Sequence, residues 1–287
     1  MSVIISTGEL AVALANTNPP RVLDVRWSLA QPDGRGEYRA GHVPGAVYAS
    51  LDEELSDKSV PDAGRHPLPS RERLQATARS WGINNGDAVV VYDNGPGLAA
   101  ARAWWLLRHA GVSDVRILDG GYATWLADAR PTEAGDHTPD FGDVELTWGE
   151  LDVADANEAA ELPASGILLD ARAAERYRGD VEPVDPVAGH IPGAISAPTT
   201  ENVTADGRFR PAKELAARFA RLGIDGTQPV AVYCGSGVNA AHQIAALAIA
   251  GHDSALYPGS WSEWSSAGRP VAVGDAPHSD IRHYQGA

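Results

Sequence analysis

This chain is predicted to be an α/β protein made of two copies of one mostly parallel sheet, each flanked by helices. A series of motifs recurs in the same order in both halves. Short apolar, β-branched runs alternate with helical patterns, the signature of strands buried on both faces with crossover helices between them. A third observation locates the working end: the single cysteine, Cys234, stands where a strand turns into a helix. In parallel sheets, sites form at the carboxyl ends of strands.

Taken in order, the first half opens with the strand Val22-Leu23-Asp24-Val25-Arg26 and the turn Gly41-His42-Val43-Pro44-Gly45-Ala46. The strand Val89-Val90-Val91-Tyr92-Asp93 and the run from Ile117 to Trp125 follow. The second half answers with Leu168-Leu169-Asp170-Ala171-Arg172, then Gly189-His190-Ile191-Pro192-Gly193-Ala194. It continues with Val230-Ala231-Val232-Tyr233-Cys234 and the run from Leu256 to Trp264. Asp24 to Asp170 is 146 residues, His42 to His190 is 148 and Asp93 to Cys234 is 141. Ala99 to Ala110 and Ala240 to Ala250 are the clearest helices, each followed by a stopping glycine, Gly111 or Gly251. The stretch 131–148 contains Pro131, Gly135, Pro139 and Gly142 without a hydrophobic period, so it is expected to link a domain over 1–130 to one over 149–287.

Composition narrows the function classes. An apolar content of 44% suits a soluble protein with a substantial core. The formal net charge of −15 argues against nucleic-acid binding, and an anionic substrate would need a local positive field. No apolar run approaches a membrane span, and residues 1–14 lack the basic and apolar regions of a signal peptide. One cysteine excludes an intrachain disulfide and fits a reducing, cytoplasmic setting. His66, His109, His137, His252, His278 and His283 show no ligand spacing with a thiol, so neither a metal nor a cofactor is expected.

Cys234 opens the turn Cys234-Gly235-Ser236-Gly237-Val238-Asn239. Backbone N–H groups of such a turn converge on one point, and the following helix adds partial positive charge, so the place suits a thiolate nucleophile. Gly235 and Gly237 carry no side chain to block those N–H groups, and Val238 and Asn239 extend the cradle. The alternative is an inert buried cysteine.

Together these motifs resemble the two-domain rhodanese-like sulfurtransferases over nearly the whole chain. The resemblance rests on the paired Asp-x-Arg strands, the two Gly-His-x-Pro-Gly-Ala turns, the Cys-Gly-Ser-Gly-Val loop and Gly259-Ser260-Trp261-Ser262-Glu263-Trp264. It implies two tandem rhodanese-like domains, the first inactive and the second catalytic. It also implies a persulfide on Cys234, charged by a small-molecule sulfur donor and discharged to a thiol or cyanide. Asp93 takes the first-half position of the cysteine. With no second thiol in the sequence, the acceptor must be external, a small thiol or a protein such as thioredoxin.

Thiosulfate-preferring members of that family carry basic residues at the two positions after the cysteine. Gly235 and Ser236 are neutral, and the loop is similar to that of the 3-mercaptopyruvate sulfurtransferases. The resemblance makes Arg172 the first candidate to anchor the donor carboxylate, with Arg176 in the same stretch. It makes Ser236 the serine that acts with an Asp and a His of the first domain, for which His42 and Asp33 are the candidates. His190 occupies the same turn in the second half, so His42 has a second reading as a structural tie. Asp24 and Asp170 read as structural, and Arg102, Trp104 and Trp105 as core or interface.

Four other readings compete with this one. Gly95-Pro96-Gly97-Leu98-Ala99-Ala100, with Asp119 downstream, matches a dinucleotide fingerprint, but the repeat explains it as the inactive copy of the cysteine loop. A phosphatase loop of related fold would end in an arginine six residues after the cysteine, where Ala240 stands. A thiosulfate-preferring enzyme and a non-catalytic interaction module are the alternatives to a mercaptopyruvate enzyme.

Overall fold

The computed structural model describes residues 2–282; Met1 and 283–287, with His283, lie outside the described residues. It divides into two compact units. The first comprises Met1–Asp57, Leu68–Leu151 and Val203–Phe209, the second Lys58–Pro67, Asp152–Asn202 and Arg210–Ala287.

The first unit contains β1 (Ile4–Ile5), α1 (Thr7–Leu14), β2 (Arg21–Asp24), α2 (Arg35–Ala40) and β3 (Ala46–Tyr48). It continues with α3 (Arg71–Ser80), β4 (Val89–Tyr92), α4 (Leu98–His109), β5 (Val115–Leu118) and α5 (Gly121–Ala127). Its five strands are all parallel, in the order β1-β5-β4-β2-β3. The central β4 is Val-Val-Val-Tyr and buried throughout, as a strand covered on both faces must be. Helix α4 is apolar nearly all round, and Arg102, Trp104 and Trp105 are buried in it.

The second unit repeats this plan with α6 (Ala156–Glu161), β6 (Ile167–Asp170), α7 (Ala174–Arg178), β7 (Ile195–Ser196) and α8 (Ala212–Arg221). Then come β8 (Val230–Tyr233), α9 (Val238–Ala250), β9 (Ala255–Leu256) and α10 (Ser260–Ser266). Its parallel strands run β7-β6-β8-β9, and a parallel bridge from Val153 to Leu256 stands where β1 stands in the first unit. Even the first caps agree. Ser6 with Glu9 opens α1 and Asp155 with Glu158 opens α6, each as a reciprocal capping box.

The duplicated motifs have one structural purpose. Asp24 accepts from the backbone N–H and guanidinium of Arg26 and from the Tyr92 hydroxyl. The same guanidinium donates to the Gly41 carbonyl at 2.6 Å, and Tyr92 accepts from the N–H of Val43. In the second unit Asp170, Arg172, Gly189, Tyr233 and Ile191 make the corresponding bonds between carboxylate, guanidinium, turn carbonyl, hydroxyl and turn N–H. Each set ties the ends of two adjacent strands to the Gly-His-x-Pro-Gly turn. The last glycine of that turn has φ 72° at Gly45 and 86° at Gly193, a conformation costly for other residues.

The stretch 131–148 is hydrogen-bonded along the first unit instead of hanging as a free connector. Glu133 exchanges backbone bonds with His42, Gly142 donates to Arg79, and Thr147 donates to Ala110. Its lack of hydrophobic period reflects a strap held by backbone bonds.

Two stability outcomes follow. Asp24→Ala and Asp170→Ala should each cost about 3–5 kcal/mol, because a buried guanidinium loses its counter-charge. Equal losses in the two halves, measured by denaturant unfolding, are the expected result. Asp93→Ala should cost about 2 kcal/mol in the same measurement, because its carboxylate accepts from the N–H groups of Gly95, Gly97, Ala99 and Ala100.

Candidate active site

Strand β8 delivers Cys234 to the carboxyl edge of the second sheet, and Gly237, at φ 78°, turns the chain into α9. Cys234 is 3% exposed. Its backbone is braced from one side: the N–H donates to Ser260 Oγ, and its carbonyl accepts from Trp261 N at 3.0 Å. The Gly235 carbonyl accepts from Ser262 N. Ser260 holds φ 53°, unusual for a residue with a side chain, and its hydroxyl bridges Cys234 N and the Tyr257 carbonyl. The Gly259-Ser260-Trp261 motif is therefore the clamp of the cysteine loop.

The first unit builds the same loop without the cysteine. Tyr122 N donates to the Asp93 carbonyl and Ala123 N to that of Asn94, matching the bonds from Trp261 and Ser262. The Asp93 side chain fills the cradle and takes four backbone N–H groups. Burial pushes its carboxyl up, and the four donors work against that. Gly97 and Gly237 are the αL caps of their helices, so the donors Gly97, Ala99 and Ala100 correspond to Gly237, Asn239 and Ala240 beside Cys234.

Ser236, buried on the loop, has His66 as its partner, with Oγ 2.8 Å from Nδ1. His66 belongs to 58–67, a segment of the second unit. Ser236 thus meets a histidine other than the expected His42. His42 is instead a structural tie: its Nδ1 donates to the Tyr38 carbonyl at 2.9 Å, and its ring stacks on Tyr38. His190 does the same with Tyr177 in the other unit, so both turn histidines have the same local cause. Asp33, the expected acidic partner, is likewise engaged locally. Its side chain is 73% exposed and accepts the N–H of Arg35 two residues on, as a local turn does.

Arg172, expected to hold a donor carboxylate, is spent on the fold. It is 3% exposed, and its guanidinium donates to Asp170, to the Gly189 carbonyl and to Glu182 while lying over the Trp261 ring. Arg26 is held the same way in the unit that has no cysteine. Arg176 is at the loop. A Cβ built on Gly235 would lie 3.5 Å from Arg176 Nη1 and 3.0 Å from Arg65 Nη2. Arg176 pairs with Glu182 and Asp185, and Arg65 also pairs with Asp185. Burial works to raise the Glu182 carboxyl, but Arg176 and the N–H groups of Asp185 and Val184 hold it below its ordinary value. Burial pushes Asp185 up, with Arg65 and Arg176 opposing.

One signal for His66 and Arg65 was present in the sequence. Gly64-Arg65-His66 is matched by Gly207-Arg208-Phe209, 143 residues on, as a further member of the repeat. The 203–209 segment belongs to the first unit, where Phe209 N donates to Asp119. The histidine is thus carried to the loop with a cysteine, while Gly207 of the matching segment lies near Gly95 and Pro96 of the loop without one. Among the described residues, no cluster of His, Cys, Asp and Glu could hold a metal ion.

The rhodanese-like domain family matches this chain twice, over residues 6–128 and 153–267. SseB of Mycobacterium tuberculosis, named as a thiosulfate sulfurtransferase, is 49% identical over 278 residues, covering 96% of this chain and 98% of that protein. A Pseudomonas aeruginosa protein named as a 3-mercaptopyruvate sulfurtransferase is 46% identical over 268 residues, with 88% and 92% covered. The crystal structure of SseA from Escherichia coli, a 3-mercaptopyruvate sulfotransferase, superposes with a TM-score of 0.81 at 33% identity, covering 91% of this chain and 100% of that one. With a duplicated fold, two matches to the rhodanese-like domain and relatives covered over most of their length, the chain belongs to the rhodanese-like sulfurtransferase family.

Proposed function

We propose that this enzyme takes sulfur from 3-mercaptopyruvate onto Cys234 as a persulfide and passes it to an external thiol or to cyanide. The observation that carries this reading is the buried Ser236–His66 contact at 2.8 Å, two residues from the nucleophile on the same loop. The Cys234 thiolate attacks the donor sulfur, and the carbon–sulfur bond breaks with its electron pair going to the enolate of pyruvate. The donor's thiol proton ends on the methyl group of pyruvate, so no oxidant or reductant is needed. Ser236 and His66 form a proton carrier that polarises the ketone oxygen as the enolate develops. The N–H groups of Gly237, Asn239 and Ala240 stabilise the persulfide anion, in the way their first-unit counterparts hold the Asp93 carboxylate. Arg176, beside Gly235, anchors the donor carboxylate in place of Arg172.

Cys234 is the one cysteine in the sequence, so the persulfide is discharged by a thiol from outside, and a reduced thioredoxin-type protein suits that step. A reducing compartment such as the cytoplasm fits the same chemistry. Among the described residues no helix is long and apolar enough to cross a membrane.

Mass spectrometry of the donor-treated protein should show the gain of one sulfur, reversed by cyanide and absent in Cys234→Ser. A non-catalytic module would show no gain. Ser236→Ala and His66→Phe should each lower kcat/KM for mercaptopyruvate by about 100-fold and thiosulfate turnover much less. Equal losses with both donors would refute the proton-carrier role.

A further inference from the structure

The neutral loop Cys234-Gly235-Ser236 poses an electrostatic question, since the chain as a whole carries −15 and repels anions. Gly235 answers part of it. Its backbone is not in the left-handed region, and the atoms nearest to a Cβ built there are the tips of Arg65 and Arg176. The space a basic residue would fill is occupied by a guanidinium delivered from 58–67. Arg65 spends Nη1 on Asp185, its backbone N–H donates to Ser262, and its Nε is buried without a hydrogen-bond partner. A cleft of about 550 Å³, lined by Arg65, Asp185, Ser262 and Glu263, opens beside it.

Resting on the persulfide chemistry proposed above, we infer that Arg65 is a specificity-determining residue, supplying from outside the loop the cation that lets Cys234 also accept thiosulfate. Arg65 and Arg176 stand side by side over Gly235 and share Asp185, but Arg176 is also held by Glu182, so the guanidinium N–H groups left for a second anion are chiefly those of Arg65. A dianion such as thiosulfate depends on that pair more than mercaptopyruvate does, because the ketone of mercaptopyruvate is also served by Ser236 and His66. In the thiosulfate reaction the Cys234 thiolate attacks the outer sulfur and the sulfur–sulfur bond breaks. Sulfite leaves with the electron pair and the sulfane sulfur stays on Cys234. Charge and electrons balance without a proton donor, so the Ser236–His66 pair is not required.

The test is kcat/KM for both donors in the wild type and in Arg65→Gln, Arg65→Lys and the double variant Arg65→Gln with Gly235→Lys. Thiosulfate should fall at least about tenfold more than mercaptopyruvate in Arg65→Gln, mainly through KM. Arg65→Lys should retain most of the thiosulfate activity, and the double variant should regain it by returning the cation to the loop. Equal losses with the two donors, no retention in Arg65→Lys, or a wild type charged by mercaptopyruvate alone would each overturn the inference while leaving the persulfide reading intact. A Cys234 charged by neither donor would overturn both. Should Arg65→Gln not fold, the Arg65→Lys and Arg65→Met pair, which differs in charge at similar length, decides the matter in the same way.

Discussion

Both halves of the molecule depend on one buried arrangement, an aspartate at a strand end that binds its own i+2 arginine. Asp24 with Arg26, and Asp170 with Arg172, are almost fully excluded from water. A charge pair so placed is tolerable only if its remaining hydrogen-bonding groups are satisfied. The turn carbonyls of Gly41 and Gly189 and, in the first unit, the hydroxyl of Tyr92 meet that demand. Adjacent strands and the following turn are thereby locked at the carboxyl edge of each sheet, where the loops after β4 and β8 emerge. The loop geometry at Cys234 is a consequence of this lock as much as of its own glycines.

From that shared frame the two loops diverge by occupancy. Asp93 satisfies its own cradle with a carboxylate, so the first copy is an anion site already filled. Cys234 puts a thiol at the equivalent position. The clamp diverges in step: Gly121 at φ 61° in the first unit is replaced by Ser260 at φ 53°. The strained serine brings a hydroxyl to the Cys234 N–H, which a glycine cannot do.

The segments 58–67 and 203–209 show how duplication can distribute function. Each carries a Gly-Arg pair, and each is packed with the unit whose sheet the neighbouring chain does not form. The one in the second unit brings His66 to Ser236 and Arg65 to Gly235. Its counterpart brings Phe209 and Arg208 to Asp119 and Asp128, where no nucleophile waits. His66, which meets Ser236, is answered by Phe209, whereas Arg65 keeps an arginine counterpart in Arg208.

The sequence by itself determined the duplication, the parallel α/β class, the strand–turn–helix around Cys234 and the membership of Ser236 in that loop, because each is a local pattern repeated at near-constant spacing. Helix ends agreed to within two residues, Leu98–His109 and Val238–Ala250 against expectations of 99–110 and 240–250. Which charged residues face the loop was not legible. Arg172 and Arg176 lie four residues apart on one stretch, yet the first is consumed by Asp170 and Gly189 and the second reaches Gly235. His42 and His66 look equally available in the chain, but a neighbouring carbonyl claims His42, and the packing of a distant segment brings His66 to Ser236. Hydrogen-bonding capacity is finite, and only the tertiary structure decides which partners exhaust it.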